Sequence, residues 1–111
     1  MKTDLIVGEV LLKKSRANAQ RGWEAVGGQL FLTNKRLIFE SHGYNVQRGI
    51  SLINLGDITK VTPSWTRAWG IFPAFPNSIR VETNDGKRYE FICWGRGDWI
   101  SKIEAAKRGL A

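Results

Sequence analysis

Four cations, Lys13, Lys14, Arg16 and Arg21, fall in one short stretch near the start of the chain. Clustered Lys and Arg hold phosphate oxygens by charge-assisted hydrogen bonds, and the planar guanidinium of Arg grips two oxygens at once. The same group also fits a solvated surface. Successive residues of an extended strand point to opposite sides, so Lys13 and Lys14 cannot share a face there. A second group lies in Ser64-Trp-Thr-Arg-Ala-Trp-Gly-Ile-Phe-Pro-Ala-Phe-Pro-Asn77. Trp65, Trp69, Ile71, Phe72 and Phe75, with Arg67 among them, suit a segment that dips into a membrane interface, the cation meeting headgroup phosphate. They also suit a protein-docking or self-association surface, or a plug folded back over one end of the core.

Catalytic groupings are not visible. Ser41-His42 reads as a turn dipeptide with no carboxylate paired to it in sequence. Asp57, Asp85 and Asp98 have turn or cap explanations. Cys93 alternates inward with Phe91 and reads as a buried, inert thiol. Gly27-Gly28 lacks the spacing of a phosphate-cradling loop. One Cys and one His leave neither an intrachain disulfide nor a zinc site. No catalytic residue, metal ligand or cofactor is assigned.

The balance of the chain agrees with a binding role. A net charge of +7 on 111 residues points to anionic partners. Hydrophobic content of 42% with 24% charged residues is that of a folded globule, and the length fits one domain over residues 1–111. Leu5-Ile6-Val7 and Val10-Leu11-Leu12 are apolar, but Glu9 interrupts them and no cleavage site follows, so a secretory signal is not expected. No apolar run approaches the roughly 18 residues of a spanning helix. A cytoplasmic location, with peripheral attachment to a membrane, is the expectation; a longer parent protein carrying an anchor stays open.

The elements that must position these groups are short strands followed by one helix. Gly8 to about Ala19 is extended, with Val10 and Leu12 on one face. A two-residue turn at Asn34-Lys35 would set Leu32 opposite Leu37 and Leu30 opposite Phe39, all on one buried face. A three-residue turn at 84–86 pairs Val81 with Tyr89 and Ile79 with Phe91, and on the outer face Arg80 with Glu90 and Glu82 with Arg88. Gly86 then takes the left-handed position of a bulged type I turn. Residues 49–55 and 57–61 supply two more strands, broken at Gly56. The segment 63–77 reads as an irregular surface connection, because Pro73 and Pro76 forbid a central strand. From Gly97 the period changes. Asp98 is expected to cap a helix whose stripe is Trp99, Ile103, Ala106 and Leu110, with Lys107 and Arg108 in its last turn. Trp94 is expected beneath a loop or the helix, and Trp23 as a staple across the first turn.

The stretch Gly28-Gln-Leu-Phe-Leu-Thr-Asn-Lys-Arg-Leu-Ile-Phe-Glu40 resembles the GRAM family. Residues 50–58, the hairpin of residues 79–91 and the helix start at Trp99-Ile100 with Ile103 agree in order and rough spacing, so the resemblance spans about residues 8 to 107. It implies a mainly β, pleckstrin-homology-like fold: a seven-stranded, partly open barrel or sandwich capped by one C-terminal helix. It implies binding of membrane lipids or protein partners, and no catalysis. No cluster matches the phosphoinositide signature of true pleckstrin-homology domains. The expected partner is an anionic phospholipid surface or a protein at such a surface. The alternative is protein binding or self-association through residues 64–77. Nucleic acid is disfavoured, because Tyr89 and Phe91 take the core phase while Glu82 and Glu90 share the opposite face with Arg.

Overall fold

The computed structural model describes residues 1–21, 24–42, 49–68 and 72–110; the side chains of residues 21, 24, 65–68 and 72–76 are outside the description. The expectations for Trp23, Trp69 and Ile71, and for the side chains of Arg21, Trp65, Arg67, Phe72 and Phe75, therefore lie outside the described residues.

Among the described residues, seven antiparallel strands are followed by a C-terminal helix: β1 (Leu11–Arg21), β2 (Glu24–Thr33), β3 (Arg36–Ser41), β4 (Ile50–Asn54), β5 (Ile58–Ala68), β6 (Phe72–Thr83), β7 (Arg88–Ile92) and α1 (Arg96–Arg108). Their order in the sheet is β4-β3-β2-β1-β7-β6-β5. The outermost strands, β4 and β5, are joined by nothing longer than a 3-10 turn, Leu55–Asp57. Three residues cannot span a flat seven-stranded sheet, so the sheet curls until its edges approach each other. Helix α1 packs on β5, β6 and the 3-10 turn.

Both hairpin registers follow the apolar alternation. Leu32 faces Leu37 and Leu30 faces Phe39 across the Asn34-Lys35 turn. Val81 faces Tyr89, Ile79 faces Phe91, Arg80 faces Glu90 and Glu82 faces Arg88. Gly86 has φ 83°, the left-handed conformation that the three-residue loop requires. The inward residues meet in one core with Trp99 and Ile103 of α1, both fully buried.

Three local readings change. Residues 64–77 are largely strand: β5 continues to Ala68 and β6 begins at Phe72, with register shifts around Thr66. Pro63, Pro73 and Pro76 are accommodated because β5 is an edge, and because residues 72–77 of β6 lie beyond its last pair with β7, Ser78 with Ile92. The helix starts earlier than expected, with Gly95 (φ 69°) at its N-cap and no side-chain cap; Asp98 lies in the first turn. Its buried stripe ends at Ala106, since Leu110 follows the last helical residue and is exposed.

The first ten residues form an arm pinned across the outer face of β3. The Lys2 and Thr3 amides donate to the two Glu40 carboxylate oxygens at 2.8 and 2.7 Å. Arg36 donates to the Asp4 carbonyl and, through Nη2 and Nε, to both Glu9 oxygens at 2.6 and 2.8 Å. Ile38 lies between Glu40 and Arg36 on that face and pairs with Phe31 of β2. Both are buried, at 0% and 2% exposure, yet neither belongs to the barrel core. Both lie on the outer face of the sheet that the arm crosses.

Candidate functional site

β1 supplies the row of groups that the sequence singled out. Its inward residues Ala17 and Ala19 are buried, whereas Lys14, Arg16 and Asn18 are exposed on the outer face. Lys13 takes the inner phase, opposite Leu32. It donates to Asp98 at 2.7 Å and stands 5.1 Å from the Trp99 ring centroid. That is a staple between β1 and α1, so Lys13 does not join the exposed outer row. Its hydrogen bond holds the Asp98 carboxyl below the ordinary value, with help from Lys102 at 3.6 Å. Among the described residues, Lys14 and Arg16 make no ion pair.

The outer row borders a gap in the sheet. β1 pairs with β7 only over Asn18, Ala19 and Gln20. Below Asn18 the strands part, because the chain leaves β7 at Ile92 and turns into α1. A surface groove of about 280 Å³ opens there, lined by Arg16, Ala17, Asn18, Asn77, Ile92, Cys93 and Trp94. Trp94 is 85% exposed on its rim, which overturns the expectation that it packs beneath a loop or the helix. Among the described residues none covers its ring, although its phase, outward with Glu90 and Ile92, was legible. Cys93 is buried, and burial pushes its thiol up to about 11, so it is inert at neutral pH.

A second exposed surface adjoins the start of β1. A bulge between Leu11 and Lys13 leaves Leu12 without a cross-strand partner. The expected alternation of Val10 and Leu12 is thereby lost, and Val10, Leu11 and Leu12 are all exposed. The arm before them is the polar counterpart. The Glu9 side chain has no exposure, and its ion pair with Arg36 holds the carboxyl down to about 2 despite burial. Thr33 also donates to it at 2.6 Å. Burial pushes the Glu40 carboxyl up, but the hydrogen bonds from Lys2 and Thr3 outweigh it and leave it below the ordinary value. These acids fix the arm; they do not face the groove.

Among the described residues no helix is long and apolar enough to cross a membrane, and no cluster of three or more His, Cys, Asp or Glu has metal-holding geometry.

Comparison with known proteins matches this arrangement of strands and helix. No curated protein matches the chain. Among solved structures, the C-terminal domain of an unknown protein from Leishmania infantum superposes with TM-score 0.72 at 22% identity, over 90% of this chain and 85% of that one. The Vps36 N-terminal PH domain superposes with TM-score 0.71 at 16% identity, over 96% and 84%. The Slm1-PH domain, solved in complex with phosphoserine, gives TM-score 0.64 at 12% identity, over 88% and 96%. At such identities the likeness establishes a pleckstrin-homology-like fold. The GRAM domain family model matches residues 1–103, and the chain belongs to the GRAM domain family.

Proposed function

We propose that this domain is a binding module that docks reversibly on a phosphate-bearing anionic lipid surface through the outer row of β1. GRAM and pleckstrin-homology-like domains are generally binding modules without catalysis, and one domain of similar fold has been solved with phosphoserine. The observation that carries the reading is the bare flank itself. Lys14 and Arg16 stand exposed on one face, and Arg16 shares a groove with Asn18 and an 85% exposed Trp94. Arg and Asn supply hydrogen-bond donors to phosphate oxygens, while Trp prefers the headgroup level of a bilayer. The net charge of +7 brings the domain to such a surface over a range limited to roughly 8 Å at physiological salt.

Vesicle flotation with and without phosphatidylserine, across a salt series, tests this. Binding should require the anionic lipid, weaken as salt rises, and fall with Lys14→Glu or Arg16→Glu. Absence of binding at every composition and salt would rule the reading out.

A second reading rests on the paired strands β5 and β6, which extend past the last β6–β7 pair and carry Trp65, Arg67, Phe72 and Phe75 in sequence, with Trp69 and Ile71 between them in the chain. It predicts a protein partner, or a dimer, lost on Trp69→Ala or Phe72→Ala while the fold survives.

A further inference from the structure

Resting on the lipid-surface reading above, we infer that the turn Leu5-Ile6-Val7-Gly8 inserts its apolar side chains into the bilayer. Val7 is 96% exposed, Ile6 52%, Leu5 43% and the adjoining Val10 57%, so the chain presents a continuous apolar tip to solvent. Burying such side chains is favourable, and a folded chain rarely displays them together without a partner surface.

The tip is built, not frayed. Gly8 turns the chain at φ 81°. The Glu9 amide donates to the Ile6 carbonyl, and the Glu9 carboxylate accepts from the Ile6 amide, both at 3.0 Å. Lys35 Nζ donates to the Val7 carbonyl at 3.0 Å, and Asn34 Nδ2 to the Gly8 carbonyl at 3.0 Å. The Val10 amide donates to Asn34 Oδ1, and the Val10 carbonyl accepts from the Asn34 amide. Below the turn, Glu9 is locked to Arg36. The Ile6 amide and the Ile6, Val7 and Gly8 carbonyls are thus paired within the protein while the side chains are exposed. Each such pairing lowers the cost of entering the bilayer interface, because an unpaired amide or carbonyl in hydrocarbon costs several kcal/mol.

Charge selects a lipid surface over an apolar protein partner. Lys35 stands at the base of the tip and Lys14 just behind it on β1, where cations meet headgroup phosphates once the apolar tip has sunk below them. The sequence hid the tip, since Leu5-Ile6-Val7 could as well have been core.

The test places an environment-sensitive fluorophore on Val7→Cys in the full chain. Cys93 is buried with a raised pKa and does not compete for the label. Vesicles of phosphatidylcholine containing phosphatidylserine should shift the emission to the blue. Lipids carrying a quencher in the acyl chain should quench it, and a label at the exposed Lys102 of α1 should not respond. Unlabelled Val7→Asp should lose vesicle partitioning by roughly tenfold or more. If vesicles bind but the Val7 label does not respond, the insertion is wrong and the lipid reading stands. If nothing binds, both fall. A blue shift that grows with protein concentration, without vesicles, would show a second copy on the tip and overturn the inference.

Discussion

β3 and β1 lie two places apart in one sheet and treat their outer faces oppositely. β3 is covered on both sides: Leu37 and Phe39 enter the barrel core, while Ile38 and Glu40 are buried beneath the N-terminal arm. β1 buries only its inner face and leaves Lys14, Arg16 and Asn18 in solvent beside a groove. The arm begins near one end of β3, runs to Asn34 and Lys35, and turns into β1 at the bulge. Ten residues thus seal β3 and leave β1, two strands away, bare. A difference within one sheet separates the surface that stabilises from the surface that is free to bind.

The contrast can be broken most severely at the arm. Glu9→Ala leaves the Arg36 guanidinium partly buried without its partner, and should destabilise the fold by about 3–5 kcal/mol in urea unfolding. Glu9→Gln, which keeps the side-chain shape and one of the two accepting oxygens, should recover part of that loss. Next is Gly28 on β2. A Cβ there would overlap the Glu40 carbonyl oxygen and stand 2.8 Å from both the Phe39 ring and Ser41 Cα. Gly28→Ala should therefore cost about 1–3 kcal/mol, because β2 and β3 would have to separate.

Acid should dissolve the same distinction more gradually. Glu9 ionises at about 2 in the folded chain, against an ordinary 4.5, so between those values the unfolded chain binds more protons. The contribution of the pair is complete above about pH 4.5 and is lost as the pH falls toward 2. Thermal unfolding across that window should show a falling Tm, with a shallower slope in Glu9→Gln.

The smallest effects on stability belong to β1. Lys14→Ala and Arg16→Ala should change unfolding free energy by no more than about 0.5 kcal/mol. Each should nonetheless weaken binding to anionic vesicles about fivefold, corresponding to roughly 1 kcal/mol per cation at a charged surface. A large loss of stability in either variant would show that β1 is as structural as β3 and remove the basis of the comparison.

The hairpins around Asn34-Lys35 and 84–86 were legible because a period of two and a fixed turn length leave one register that keeps Leu30, Leu32, Leu37, Phe39, Ile79 and Val81 inside. Trp99 and Ile103 were legible from helical spacing. The arm was not, since nothing in Glu9 or Glu40 reveals that they pair with Arg36 and with the backbone of Lys2 and Thr3. Its absence from the reading also hid why Ile38 and Phe31 are buried on an outward phase. The bulge at Leu12 shifted the apolar face by one residue, which pattern reading cannot detect in so short a run. Lys13 was grouped with Lys14 and Arg16 by proximity in sequence, whereas the pleat sends it to Asp98 and Trp99. Trp94 was missed because its exposure depends on where β1 and β7 part.

The central claim is that the bare flank of β1, with Trp94, is where a phosphate-bearing headgroup sits. Titration of the isotopically labelled chain with soluble glycerophosphoserine, followed by nitrogen–proton correlation spectra, tests it most directly. The account predicts shifts concentrated at the Lys14 to Asn18 amides and the Trp94 indole, with the Ile38 to Glu40 amides unmoved. Shifts confined to other residues, or none while vesicles still bind, would contradict it.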